Sequence, residues 1–175
     1  MSLSRTPSDL TALLSLPSQL GPQSGAAPGD LTQPAKPEIR LTRESIDVML
    51  DSLDQAIRRK DVDEVLRHIA SNATITIHMK QGSQLQFVTL TRDEYRTTLQ
   101  MAFAFPSAND YARVSTTVSV APDGRSAKVS FKSTQTLRQA RHDITVEGEE
   151  TLIFKVLDER PAIVSLEQVM PGDST

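Results

Sequence analysis

The sequence has no cysteine and no tryptophan, and aromatic residues make up only 4% of it. Without cysteine the chain has no disulfides, no thiolate nucleophile and no cysteine-ligated metal. No apolar run approaches the ~20 residues that a membrane-spanning helix requires. The net charge of -3 and the scattered basic residues provide neither the basic face of a nucleic-acid-binding protein nor a polybasic membrane patch. We therefore predict a soluble protein with no nucleic-acid partner and no membrane span.

The common signatures of catalytic and cofactor sites are missing as well. His68, His78 and His142 are too dispersed along the chain to suggest a metal site. The glycines are isolated, so there is no phosphate-binding loop. There is also no Gly-x-Ser-x-Gly nucleophile elbow. We predict no metal site and no cofactor.

The N-terminal part differs in composition from the rest of the chain. Residues 1–40 contain six of the ten prolines, three of the seven glycines and no aromatic residue. Such a segment cannot bury enough apolar surface to offset the entropy lost on ordering it. We therefore predict a disordered Pro/Gly/Ser-rich segment at 1–41, a folded domain at 42–171 and a short tail at 172–175.

Three leucines give this segment one helix-like patch. Leu10, Leu13 and Leu14 would share one side of a short helix, which is either a docking segment for a partner groove or part of a plain tether. We favour the tether because isolated helices this short are marginal in water. The segment lacks the regions of a signal peptide, so we expect a cytoplasmic protein by default, or a periplasmic one if a signal segment has been removed.

The predicted domain opens with the patterns of three helices. In the first helix, apolar residues recur at helical spacing: Ile46, Leu50, Leu53 and Ile57. Asp61 with Glu64, and Thr91 with Glu94, have the spacing of capping boxes that begin a second and a third helix. The third helix must end before Pro106.

A strand pair is predicted between the second and third helices. Residues 73–79 alternate between apolar and polar, and three apolar side chains share one face: Ile75, Ile77 and Met79. His78 lies on the other face. After a turn at 81–83, Leu85 and Phe87 are expected to continue the apolar face on the return strand.

Four long antiparallel strands are predicted in the C-terminal half. Pro122-Asp123-Gly124 fits a type I turn followed by a left-handed glycine. This turn pairs three residues across the first two strands: Val118 with Val129, Thr116 with Phe131 and Val114 with Ser133. The last two strands present two further apolar rows on the same face: Val146, Gly148, Glu150, Leu152, Phe154 and Val156, then Ala162, Val164, Leu166, Gln168 and Met170.

The element order and one local pattern resemble the nuclear-transport-factor-2-like, or SnoaL-like, superfamily. The pattern is Lys60-Asp61-Val62-Asp63-Glu64-Val65-Leu66 followed by Ala70-Ser71-Asn72-Ala73-Thr74-Ile75. The resemblance covers about residues 42–171. It implies a cone-shaped α+β barrel, with three helices packed in the concave face of a curved, mostly antiparallel sheet. It also implies a pocket at the wide end of the cone and a homodimer formed through the sheet.

One departure from the superfamily bears on chemistry. Its ketosteroid isomerase-like members place a general-base aspartate two residues after the position of Ile75, where this sequence has Ile77. An aliphatic side chain cannot accept a proton, so isomerase chemistry of that kind is not expected. The His-Asp arrangement of the dehydratase-like members has no clear counterpart either.

The predicted site is a polar cluster on the apolar face of the sheet. Glu150 is expected opposite Ser133 on one neighbouring strand and Gln168 on the other, with Gln135 nearby. Aromatic side chains are expected around this floor: Phe131, Tyr95, Phe103 and Phe105. A carboxylate on such a face must be paired, or its pKa is raised by desolvation. Two alternatives stay open: this end of the cone is exposed to solvent, or Gly148 marks a bulge that turns Glu150 outward.

The opposite face of the sheet carries charges of both signs: Lys128, Lys132, Arg138, Glu147, Glu149 and Lys155. It is expected to be a solvated ladder of cross-strand pairs or, because such a patch is self-complementary, a dimer interface.

The sequence leaves two candidate functions. We favour a binding or interaction module for a small hydrophobic ligand. The alternative is a lyase- or isomerase-like enzyme with Glu150 as acid or base and Tyr95 or Gln168 orienting the substrate.

Overall fold

The computed structural model describes residues 38–81, 84–105, 110–138 and 143–170. Four predictions fall wholly or mostly outside these ranges: the disordered segment, its leucine patch, the turn before the return strand and the C-terminal tail. Within the described residues, Leu41 packs into the domain one residue before its predicted start at Thr42. Leu41 is only 3% exposed, and its N–H donates to the Gly124 carbonyl at 2.7 Å.

The three predicted helices are present: α1 spans Arg43–Arg59, α2 spans Val62–Arg67 and α3 spans Arg92–Ala104. Thr42 and Thr91 begin α1 and α3 with complete capping boxes. Asp61 caps α2 by accepting a hydrogen bond from the Glu64 N–H. None of the helices in the described ranges is long and apolar enough to cross a membrane.

Six strands form one curved, unclosed sheet in the order β2-β1-β6-β5-β4-β3. Their bounds are Ile69–Gln81 for β1, Gln84–Leu90 for β2, Ala112–Val120 for β3, Ser126–Arg138 for β4, Asp143–Leu157 for β5 and Arg160–Met170 for β6. All neighbouring pairs are antiparallel except β1 with β6, which is parallel. The predicted fold class, a cone-like α+β fold with a mostly antiparallel sheet, is confirmed.

A single core joins the helices to the concave face of this sheet. Its most buried side chains come from both layers: Ile46, Leu50 and Leu66 from the helices, and Val129, Leu152, Phe154 and Ile163 from the strands. Strand β4 alternates as predicted, with buried Val129 and Phe131 separated by residues that face outward. Burial of this apolar face sets which side of the sheet the polar cluster occupies.

The outer face of the sheet carries the expected cross-strand pairs. Lys132 Nζ lies 3.4 Å from Glu149 Oε1, and both side chains are exposed. On the same face, His78 Nε2 lies 2.7 Å from Glu167 Oε1, so His78 points away from the core as predicted. An exposed pair such as Lys132–Glu149 contributes at most ~1 kcal/mol to stability.

The predicted orientation of β2 is wrong. Leu85 and Phe87 face outward, and Phe87 is 69% exposed. Because Val88 pairs with Ile77, it is Val88 and its same-face neighbours that extend the concave face. Strand β2 carries apolar residues on both faces, so its alternation alone does not determine which face packs inward.

A bulge in β3 changes the predicted register with β4. Val118 pairs with Val129 as expected, but beyond the bulge Val114 pairs with Lys132 instead of Ser133. Ser115 adopts the left-handed backbone conformation, with φ of 55°, and adds one residue to the strand. Val114 is therefore exposed, and Arg113 takes the inward position opposite Ser133.

A second irregularity lies in β6. The pairing with β5 shifts between Ile153 and Phe154, because Phe154 opposes Ile163 while Ile153 opposes Ser165. The residue between them, Val164, is the inserted one. Ile163 is therefore fully buried and takes the inward position opposite Phe154, which the prediction gave to Ala162 and Val164. Those two side chains are only partly buried against the core. Above the bulge, Leu166 and Gln168 face the concave side as predicted.

Candidate ligand-binding cavity

A cavity of about 790 Å³ lies on the concave side of the sheet and opens to solvent. Its walls come from helices α1, α2 and α3, from strands β1, β2, β4, β5 and β6, and from Tyr111 just before β3. Most of the lining is apolar, for example Leu53, Leu99, Ile77, Val88 and Ile163. A cavity of this size and character is typical of small-molecule sites in proteins.

The predicted polar cluster lines this cavity. Glu150, Ser133, Gln135 and Gln168 all face it. Gln168 is directly opposite Glu150 on β6, as expected. The predicted pairing of Glu150 with Ser133 is wrong by two residues, since Phe131 opposes Glu150 on β4.

Ser133 nevertheless reaches the carboxylate along the same face. It is opposite Gly148, and its hydroxyl hydrogen-bonds the Glu150 carboxyl. The register between β4 and β5 runs without interruption past Gly148, so no bulge turns Glu150 outward. Gly148 instead makes room for this contact, because a Cβ there would lie 3.0 Å from Ser133 Oγ.

Glu150 is partly exposed to the open cavity and otherwise enclosed by protein. Burial raises the pKa of its carboxyl to about 7. The Ser133 hydroxyl opposes this by donating to the ionised form, and the negative charge of Asp54 adds to it. The carboxyl thus changes charge near neutral pH, where a general acid or base is most effective.

Two tyrosines lie beside Glu150. Tyr95 on α3 was expected there, and it is buried and lines the cavity. Tyr111, which precedes β3, was not predicted; it is 7% exposed and lines the same cavity. Burial, followed by the nearby charge of Glu150, raises the pKa of both phenols.

The Tyr111 hydroxyl is buried and has no hydrogen-bond partner among the described residues. Its backbone carbonyl accepts from Arg58 Nε at 2.9 Å, which fixes the loop on α1. The sequence predicts that Val114, Thr116 and Val118 face inward. Continuing this alternation towards the N-terminus places Tyr111 on the outer face, so Tyr111 could be assigned to the cavity only if the β3 bulge were known.

The predicted aromatic set is only partly at the cavity. Phe103 lines it. Phe131 is buried behind Glu150 and is not part of the lining. Phe105 is 65% exposed and also lies outside the lining. The predicted aromatic pair at the mouth is therefore reduced to Phe103.

Arg113 lies close to Tyr111 and is engaged by two carboxylates. Its Nε lies 3.0 Å from Asp54 Oδ2, and a terminal nitrogen lies 3.0 Å from Asp51 Oδ1. The guanidinium also lies over the Phe131 ring, 5.9 Å from its centroid. Despite Arg113, burial raises the pKa of the Asp54 carboxyl.

No group of three metal-ligating side chains occurs within the described ranges. His68 ends α2, and its Nε2 lies 3.3 Å from Ser52 Oγ. His78 is on the outer face of the sheet, and His142 lies outside the described residues. The polar groups of the cavity lining are therefore two carboxyls, two phenols, two hydroxyls, three amides and one lysine: Glu147, Glu150, Tyr95, Tyr111, Thr98, Ser133, Gln86, Gln135, Gln168 and Lys80.

Neither protein-family models nor functionally curated proteins match this sequence. Solved structures do. An NTF2-like protein of unknown function from Pseudomonas putida is 13% identical, with a TM-score of 0.57 over 75% of this chain and 87% of its own. The β subunit of benzoate 1,2-dioxygenase from Burkholderia mallei is 14% identical, with a TM-score of 0.60 over 74% and 91%. The association domain of CaMKII from C. elegans is 14% identical, with a TM-score of 0.53 over 72% and 93%.

At such low identity the likeness is one of fold alone, and fold does not imply function. The three helices and the curved, unclosed six-stranded sheet agree with that fold. The resemblance stated from the sequence is confirmed at this level. This chain has the fold of the NTF2-like, or SnoaL-like, superfamily.

Proposed function

We propose that the protein binds a small, largely apolar ligand in the concave cavity and holds the ligand's polar group at Glu150. The observation that carries this proposal is the Glu150 carboxyl, which lines an open, mostly apolar cavity of about 790 Å³. Ser133, Gln135 and Gln168 offer further hydrogen-bonding groups around it. A few polar groups that converge within an apolar lining fix the orientation of a ligand and select for it.

Thermal shift measurements test this proposal. The probes are a panel of steroids, phenolic polyketides and small aromatic amines, alcohols and acids. A compound that binds only the native state must raise the melting temperature in a saturable way. Leu99→Trp, which fills the cavity from α3, should abolish the shift. Val48→Trp, on the exposed side of α1, should leave it unchanged. The absence of any saturable shift across the panel would refute the proposal.

A lyase- or isomerase-like activity is the second candidate. It is supported by the pKa of Glu150, which burial raises to about 7, and by the buried phenols beside it. Glu150→Gln would then abolish turnover of a bound compound while leaving the melting temperature unchanged or higher. If bound compounds are recovered unaltered after prolonged incubation with the wild-type protein, the enzymatic candidate is refuted and only the binding function remains.

We also propose that two copies associate through the outer face of the sheet. Support comes from exposed Phe87 beside a face that carries both charge signs, such as Lys132 and Glu149. A two-fold contact needs a self-complementary patch of this kind. Light scattering should show a dimer that Phe87→Glu dissociates. Val48→Glu, at an equally exposed position on α1, is the matched control. A monomeric wild-type protein would refute this association.

A further inference from the structure

We propose that the cavity selects ligands that carry a protonated amine on an apolar body, with the ammonium group bound between the Glu150 carboxylate and the Tyr111 hydroxyl. This inference rests on the proposed binding function, because it specifies the ligand class of the same cavity. It follows from the charges around Glu150 and from the Tyr111 hydroxyl, which has no hydrogen-bond partner among the described residues.

Glu150 has no cationic partner in the part of the chain that the structure describes. No ion pair there includes it, and its hydrogen bond comes from Ser133. Arg113 is taken up by Asp54 and Asp51. Among the described lining residues the one cation is Lys80, an exposed side chain of β1. An ionised carboxyl in apolar surroundings is costly unless it is paired, so a ligand cation would supply the missing charge.

The Tyr111 hydroxyl supplies the second contact. Tyr111 lines the cavity, and its hydroxyl is buried and has no partner among the described residues. A phenol can accept one hydrogen bond and donate another, whereas an ammonium group has three donors and no acceptor. An ammonium group set between the two can therefore donate to Glu150 and to Tyr111, and satisfy both. Tyr95 and Phe103 also line the cavity, and aromatic rings are favourable surroundings for a cation.

The remaining charged groups disfavour the opposite ligand class. The titratable and charged groups around the cavity are of three kinds. Asp54, Tyr95 and Tyr111 interact with Glu150. Arg113 pairs with Asp54, and Glu147 and Lys80 line the cavity. Within this set Arg113 is neutralised by Asp54, and the two phenols stay uncharged because burial raises their pKa. An anionic ligand would thus meet two carboxylates and a single exposed lysine. A neutral ligand would leave the carboxylate unpaired.

Matched compounds with three head groups test the proposal. The probes are the amine, alcohol and carboxylic acid derivatives of octane, cyclohexylmethane and methylnaphthalene, with binding measured by calorimetry and ligand-observed NMR. At pH 8 the amine of at least one skeleton should bind roughly tenfold or more tighter than its alcohol, since hydrogen bonds to charged groups are worth more than neutral ones. Alcohols or acids that bind as tightly as the amines would overturn amine selectivity and leave the proposed function standing. No binding by any skeleton would overturn both.

The pH dependence gives an independent readout. An amine binds the ionised carboxyl, so below pH 7 its affinity should fall about tenfold per pH unit, and close to one proton should be released on binding. Proton release is measured at pH 6 from calorimetry in two buffers of different ionisation enthalpy. An alcohol that accepts a hydrogen bond from the protonated carboxyl should show the opposite trend. Amine binding without proton release would overturn the proposal.

Three variants assign the effect to residues. Glu150→Gln should lower amine affinity at pH 8 by tenfold or more and remove its pH dependence. Tyr111→Phe should lower amine affinity about fivefold while preserving proton release. Glu149→Gln, on the outer face, is the control and should change neither. If Glu150→Gln fails to fold, the amine affinity of Tyr111→Phe and the proton release of the wild-type protein still test the proposal. Wild-type amine affinity in both folded variants would refute the assignment.

Discussion

Arg113 Nε donates to Asp54 Oδ2 at 3.0 Å and so ties strand β3 to helix α1 inside the protein. Both side chains are largely buried. The contact exists because the bulge at Ser115 turns Arg113 to the concave face. It holds the loop that carries Tyr111 beside the cavity, together with the Arg58 bond to the Tyr111 carbonyl.

Removing this arginine should destabilise the fold strongly. Arg113→Met leaves the Asp54 carboxylate buried without its cation, which costs about 3 kcal/mol. Urea denaturation at pH 7 measures the loss. Arg125→Met is the matched control, because the Arg125–Glu38 pair is about half exposed and should cost less than ~1 kcal/mol. Equal losses for the two variants would show that the buried pair has no special role.

The bulge itself predicts a stabilising substitution. Ser115 has φ of 55°, a conformation that costs a non-glycine residue roughly 1 kcal/mol. Ser115→Gly should therefore raise the free energy of unfolding by about that amount. Ser119→Gly, in an extended and exposed part of the same strand, should instead lower it by about 0.5 kcal/mol or more. Chemical denaturation of both variants decides, and a loss of stability in Ser115→Gly would contradict the strained turn.

The sequence predicts the framework of this fold well because its signals are local. The capping residues Thr42 and Thr91 mark helix starts, and the alternation in β4 marks its buried face. The wrong predictions all concern the register of two strands or the face of the sheet on which a side chain lies. A one-residue insertion at Ser115 or Val164 leaves no trace in the alternation on either side of it. Side chains that move across the sheet with such a bulge, above all Arg113 and Tyr111, could not be placed without the three-dimensional structure.

Glu150 predicts a pH-dependent stability difference between the wild type and Glu150→Gln. In the folded protein burial raises the pKa of this carboxyl from 4.5 to about 7. Below pH 4 it is protonated in both states and contributes no difference. Between these values the unfolded chain ionises first, so wild-type stability falls as pH rises, and the full penalty is reached above pH 7.

The glutamine variant lacks this penalty. Its stability advantage should grow from near zero at pH 4 to at most about 3 kcal/mol at pH 8, and less where cavity water screens the partly exposed carboxylate. Thermal or urea denaturation across this pH range measures the difference. Glu149→Gln removes an exposed charge from the same strand and serves as the control. If the stability difference between the two proteins is the same at pH 4 and pH 8, the pKa of Glu150 is not raised in the folded state.

Gly148 and Ser133 predict a shift in the pH at which Glu150 ionises. A Cβ at Gly148 would lie 3.0 Å from Ser133 Oγ, so Gly148→Ala should push that hydroxyl away from the carboxyl. Because the Ser133 bond lowers the pKa of Glu150, its loss should raise that pKa above about 7. Carbon-detected NMR of the glutamate carboxyls measures the titration directly.

Ser133→Ala separates this effect from simple crowding. It removes the hydroxyl without adding volume, and should raise the Glu150 pKa in the same direction. Once Oγ is absent, the added methyl at position 148 has nothing to displace, so the double variant should titrate like Ser133→Ala alone. Ser130→Ala, which removes the Ser130–Thr151 contact on the outer face, should leave the titration unchanged. Additive shifts in the double variant would mean that the methyl acts by filling the cavity and not through the serine.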